Sequence, residues 1–214
     1  MRDSSTKTIY LKHYAPFGFE VEKVELTFDL KPSATRVKSR IAFKPQAGAP
    51  NEIFLHGENL TLVSSSIDGV AVSPTLSAEG LTCPIPKAPF LWECEVEIDP
   101  QNNTALEGLY MSNGMYCTQC EAEGFRKITY YPDRPDVMSV FTVRINGDLP
   151  VLLSNGNPVT QGDGFAEWHD PWPKPAYLFA LVAGDLRAHS DQFTTRSGRD
   201  VALNLYVRPG DEGK

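Results

Sequence analysis

Residues 19–43 read FEVEKVELTFDLKPSATRVKSRIAF, and this stretch decides the fold class. Val24, Leu26, Phe28 and Leu30 share one parity while Glu25, Thr27 and Asp29 share the other, the two-residue period of a half-buried strand. Phe19 and Val21 sit on the opposite parity, so a bulge or bend near Glu22 and Lys23 is expected to bring both sets to the core side. Lys31-Pro32-Ser33-Ala34 is a turn, and Val37, Ile41 and Phe43 then alternate with Arg36, Lys38 and Arg40. The expected element is a hairpin whose solvated face sets Glu25 and Asp29 against Arg36 and Lys38.

The same period recurs downstream. After the Pro/Gly-rich KPQAGAPN, short strands at 52–55 and 60–66 lead to Asp68-Gly69, a strong hairpin signal, with 70–72 returning. FLWECEVEI at 90–98 buries Trp92, Cys94, Val96 and Ile98 and turns Glu93, Glu95 and Glu97 to water, a glutamate ladder that reads as a solvated face. Phe141, Val143 and Ile145 alternate up to Asn146-Gly147, and VLLSN at 151–155 precedes a turn. DPWPKP at 170–175 is expected to be a stiff connector, and YLFALVAG at 177–184 a strand buried on both faces. Val201, Leu203, Leu205 and Val207 make a last strand after the turn at Ser197-Gly198-Arg199. No segment requires a helix longer than about two turns, so the chain is expected to be all-β.

Composition narrows the function. With 41% hydrophobic and 22% charged residues the chain can build a core and has no signature of disorder. The net charge of −7 argues against nucleic acid and anionic membranes as partners. The N-terminus shows no apolar signal region, and no apolar run approaches the roughly 18 residues of a spanning helix, so a cytoplasmic location is the expectation. Cys83, Cys94, Cys117 and Cys120 do not read as a disulfide framework.

Recognition chemistry concentrates in TQCEAEGFRKITYYPDRPDV at 118–137, too polar for a core strand and set between alternating segments. Cys117-Thr118-Gln119-Cys120 is a lone CxxC: a zinc site needs two more ligands at a suitable spacing, and a thioredoxin-like site needs a βαβ setting. His13, His56, His169 and His189 are scattered, and HExxH, G-x-S-x-G and phosphate-loop patterns are missing, so neither catalytic nor metal-binding residues can be assigned. Gln119 and Glu121 are two apart, and in an extended segment both project from one face. They offer an amide and a carboxylate to one ligand, and the carboxylate suits an α-ammonium group, charged at neutral pH with a pKa of about 8. Equally open from spacing alone is that Glu121 caps a turn or pairs with Arg126. Asp133 either caps the turn after Pro132 or pairs with Arg126.

The blocks NTALEGLY (103–110), CTQCEAEGFRKITYYPDRPDV (117–137), LLSNGN (152–157), DPWPKPAYLFALVAGDL (170–186) and FTTRSGRDVALNLYV (193–207) carry a resemblance. In this order they resemble the N-terminal domain of bacterial aminopeptidase N, the zinc alanyl aminopeptidases of the M1 class. The resemblance implies a saddle-shaped, sandwich-like domain of antiparallel sheets over 1–192, with 193–214 a linker and the first strand of a thermolysin-like catalytic domain. It implies that Glu121 helps hold the free α-ammonium group of a peptide and that Gln119 lines the pocket for the first side chain. Zinc and the reacting groups would then lie in sequence downstream of Lys214. This chain alone would be inactive, with peptide N-termini and the catalytic domain as its partners. The alternative is a free-standing β-sandwich module that binds peptide N-termini or a protein without enzymatic activity. It predicts a polar surface around 118–137, whereas a domain separated from its neighbour should expose an apolar patch there.

Overall fold

A computed structural model describes residues 10–213. Residues 1–9, part of the segment read as lacking a signal region, lie outside the described residues.

The expected hairpin is β1 (Phe19–Asp29) and β2 (Thr35–Pro45), with Val24 opposite Ile41 and Phe28 opposite Val37. The register shifts between Val21 and Lys23, and this bulge brings Phe19 and Val21 into the core with Val24, Leu26 and Phe28. β3 (Glu52–His56), β4 (Thr61–Ile67) and β5 (Val70–Ala71) follow. The last two join through Asp68 and Gly69 at φ 51° and 78°, the left-handed pair that a tight hairpin turn needs. Then come β6 (Thr75–Leu76), β7 (Gly80–Pro84), β8 (Phe90–Ile98), β9 (Gly108–Ser112) and β10 (Met115–Gln119). β11 (Ser139–Asn146), β12 (Val151–Ser154), β13 (Asn157–Gly162), β14 (Phe165–Lys174), β15 (Leu181–Gly184), β16 (Arg187–Thr194) and β17 (Asp200–Val207) complete the order, and helical structure is confined to three-residue 3₁₀ turns among the described residues.

The architecture is all-β and sandwich-like. An eight-stranded sheet runs β13-β14-β11-β1-β2-β8-β4-β5, beside a four-stranded sheet β12-β15-β10-β9, a three-stranded sheet β3-β7-β6 and the β16-β17 hairpin. Among the described residues pairing between strands is antiparallel except for β1 and β11, which run parallel from Lys23 opposite Val140 to Asp29 opposite Asn146. An aromatic cluster ties the layers together. Phe28 of β1 stacks on Phe179 at 5.9 Å, and Phe125 meets Tyr131, Phe179 and Phe141 edge-on at 5.0, 5.3 and 6.1 Å. Phe125 and Tyr131 are fully buried, so the polar 118–137 stretch is pinned to the large sheet by its few apolar residues.

The solvated face is an arginine–glutamate ladder across three strands. Arg40 Nη1 donates to Glu25 Oε2 at 2.8 Å and its Nε to Glu93 Oε1 at 3.0 Å, while Arg36 reaches Glu97 Oε2 at 2.9 Å and Glu95 Oε1 at 3.3 Å. Arg36 therefore serves β8 rather than Asp29, whose Oδ1 accepts from Asn146 Nδ2 at 2.7 Å. β2 lies between β1 and β8, so Arg36 stands opposite both Asp29 and Glu97; two carboxylates of β8 take its guanidinium, while Asn146 of β11 holds Asp29.

Two expectations fail. The 170–175 connector is instead the end of β14, which pairs Asp170 with Phe141 and Lys174 with Ser139. β13 accompanies β14 only as far as His169, so Pro171 and Pro173 lie on an edge, where a missing N–H is tolerated. Nor is 177–184 one strand buried on both faces. Ala176–Leu178 form a 3₁₀ turn that leaves Leu178 half-exposed and sends Phe179 into the aromatic cluster, and only Leu181–Gly184 enter the sheet. The last strand forms, paired along its whole length with β16 around Gly198 at φ 80°. The expected boundary at 192/193 falls inside β16.

Candidate functional site

Gln119 ends β10 opposite Gly108 of β9. It is exposed, Cys120 is buried, and Glu121 is exposed at the start of the turn that follows the strand. Gln119 Nε2 donates to the backbone oxygen of Glu121 at 3.1 Å. Among the described residues the Glu121 carboxylate makes no hydrogen bond or ion pair.

The chain then doubles back tightly. Gly124 N donates to Cys120 O at 2.8 Å, and a Cβ on Gly124 would stand 2.3 Å from Gln119 O, so the return path has room only for glycine. Gly108, at φ 73°, lies against the same turn: a Cβ there would meet Lys127 Cβ at 2.7 Å.

Charge pairing fixes the far side of the turn. Asp133, buried to 5% exposure, accepts from the backbone N and the Nε of Arg126 on one oxygen, both at 3.1 Å, and Arg126 Nη2 donates to Asp133 O at 3.2 Å. Of the two roles open to Asp133, pairing with Arg126 is the one found. Arg126 also reaches Glu123 at 3.4 Å and Glu58 at 3.9 Å, and Lys127 bridges Glu58 at 3.2 Å and Glu107 at 3.3 Å. Glu123, not Glu121, is thus the acid of the turn that Arg126 takes. Beneath them, Asp133 N donates to His56 Nδ1 at 3.2 Å, which places the proton of a neutral imidazole on Nε2. Burial and the Arg126 guanidinium lower the His56 pKa, while burial raises that of Asp133 against the pull of Arg126. No spacing rule marks His56; only its place beside Gly57, whose Cβ would strike the Tyr130 ring, hints at a crowded site.

The CxxC pair does not form a reactive centre. Cys120 is buried and its pKa is strongly raised, and burial raises that of Cys117 as well, whereas a redox thiol needs a depressed one. All four cysteines are free thiols. Among the described residues no group of three or more His, Cys, Asp or Glu could hold a metal ion, and the resemblance implies zinc outside them. A cavity of about 270 Å³ beside β9 is lined by Asn59, Asp99, Asn103 and Lys127 among others, and Gln119 and Glu121 lie outside it, on an open face. Within 118–137 the large apolar side chains are buried, and exposed ones lie outside that stretch, at Tyr14, Leu106 and Met138 and at Trp172, Leu178, Phe193, Leu203 and Leu205. The apolar patch expected at 118–137 is therefore absent, because the turn spends its apolar residues on the aromatic cluster.

Residues 12–178 match the Peptidase M1 N-terminal domain family. The chain belongs to that family. This M1 N-terminal domain is 52% identical over 226 aligned residues to aminopeptidase N of Caulobacter vibrioides, covering 100% of the chain and 26% of that protein. It is 45% identical over 212 residues to aminopeptidase N of Escherichia coli K12, covering 94% of the chain and 24% of that protein. The solved structure of Legionella pneumophila aminopeptidase A in complex with aspartic acid superposes with a TM-score of 0.88 at 34% identity, over 95% of this chain and 26% of that one. The M1 N-terminal domain thus spans about a quarter of the length of these relatives. A Deinococcus radiodurans M1 zinc metallopeptidase, at 16% identity and a TM-score of 0.75, shares the fold.

Proposed function

We propose that this domain supplies the wall of a zinc aminopeptidase site that receives the free N-terminus of a peptide, with Glu121 binding the α-ammonium group and Gln119 lining the pocket for the first side chain. The observation that carries this is the Glu121 carboxylate, exposed beside Gln119 and without a partner among the described residues, although two cations stand on the next turn. A carboxylate kept clear of internal cations is available to an external one. Anchoring the ammonium at a fixed point sets the register of the peptide, so that the first peptide bond is the one presented for cleavage. Glu121 contributes binding and register and transfers no proton. Zinc and the reacting groups belong to sequence outside these residues, and the downstream catalytic domain is the partner against which the site closes. A cytoplasmic setting is part of this reading, and four free thiols accord with a reducing compartment.

The test uses a protein in which this domain is followed by the remaining length that its relatives have. Glu121→Ala should weaken kcat/KM for a free-amine substrate such as alanyl p-nitroanilide by about 1.5–3 kcal/mol, the usual loss of a charge-assisted contact. An unchanged kcat/KM removes Glu121 from the site. The 214-residue chain by itself should not hydrolyse the same compound with or without added zinc. Chelator-sensitive turnover by it would overturn the assignment of the reacting groups to other sequence. The burial of the large apolar side chains within 118–137 favours a second reading, a free-standing module that binds peptide N-termini without cleaving them. Hydrolysis by the longer protein decides against it.

A further inference from the structure

We infer that Arg126 is a positioning residue for the ammonium site: clamped between Asp133 and Glu123, it holds the 121–124 turn in shape and is itself kept off the Glu121 carboxylate. The inference rests on the reading of Glu121 given above. Its basis is the division of labour among the charges. Arg126 spends its backbone N–H and Nε on Asp133 Oδ2 and its Nη2 on Asp133 O, with Glu123 and Glu58 as further carboxylate partners. Its side chain is 12% exposed. The contact to Glu123 grips the turn two residues beyond Glu121, and Gly124 N–H···O Cys120 closes it from inside. Lys127, the other nearby cation, is occupied by Glu58 and Glu107. Four acids thus take up two bases, and the fifth acid of the neighbourhood, Glu121, is left for a ligand. A lysine at 126 could replace the charge but not the fork that reaches Asp133 and Glu123 together.

In the longer protein, Arg126→Lys and Glu123→Gln should each raise KM for alanyl p-nitroanilide about tenfold while kcat changes little, since displacement of an anchoring group costs binding first. Glu123 is half-exposed, so that variant will fold even where Arg126→Lys does not. In a Glu121→Gln background both effects should vanish, because there is no longer a carboxylate to position. An equal rise in KM in the two backgrounds, or none in either, overturns the inference. If Glu121→Gln alone leaves KM unaltered, the ammonium reading fails first and this inference falls with it. In the present chain, ¹⁵N relaxation should report faster motion of the Glu121, Ala122 and Glu123 amides in Arg126→Lys with β1 and β2 unchanged; uniform loosening throughout would mean a general structural role and contradict it.

Discussion

His56 shows how much of the site's support is held by single buried contacts. Its Nδ1 accepts the Asp133 N–H, and it faces Arg126, Asp133 and Glu123. Burial and Arg126 lower its pKa below the ordinary value of about 6.5. As pH falls below that ordinary value, the unfolded chain takes up a proton that the folded chain refuses until its own lower pKa is reached, so stability is lost across that window. Urea unfolding at a series of pH values should show the midpoint dropping on the acid side of about 6.5, and His56→Gln should flatten that part of the curve. A slope unchanged by the substitution would mean that His56 does not titrate in this way. Gly124 is the other single-residue dependence. A methyl group there would stand 2.3 Å from Gln119 O, a backbone atom with little freedom to retreat. Gly124→Ala should therefore cost about 1–3 kcal/mol, the usual cost of overpacking, measured by denaturant midpoint.

At the scale of elements, the central strands β1, β2 and β8 are joined on one side by packing and on the other by the arginine–glutamate ladder. The ladder's side chains are a quarter to a half exposed, so each pair contributes about 0–1 kcal/mol, and Arg40→Met, which removes two pairs, should lower stability by no more than about 2 kcal/mol, with the loss shrinking as salt is added. A loss of several kcal/mol would show that the ladder is held more rigidly than its exposure implies. These strands were legible because their alternation is local: the bulge at Glu22 follows from a parity change within four residues. The parallel pairing of β1 with β11 was not, since it joins segments more than a hundred residues apart and leaves no local pattern. The apolar run at 177–184 misled because apolarity records burial, which Phe179 satisfies from a turn as well as from a strand. At the site, spacing alone left Glu121 open to a ligand, a turn cap or Arg126, and the choice of Glu123 over Glu121 by Arg126 depends on how the chain doubles back at Gly124.

Across the whole molecule, burial is uneven. The sandwich holds its aromatic core, while β16 and β17 are exposed along most of both strands and carry Phe193, Leu203 and Leu205 on the surface. Ending the chain after Leu186 should therefore leave the unfolding midpoint within a few degrees of the original, and a collapse of cooperative unfolding would show that the hairpin is integral to the core. On the function proposed above, the face bearing Gln119 and Glu121 receives a charged ligand, and the exposed apolar hairpin packs against the domain that follows. The most direct measurement is a crystal structure of the longer protein with a bound free-amine amino acid. The α-nitrogen should lie within hydrogen-bonding distance of the Glu121 carboxylate, at about 2.7–2.9 Å, with Gln119 beside the ligand side chain. A bound ligand whose nitrogen is held by other groups, with Glu121 turned to solvent, would contradict the assignment.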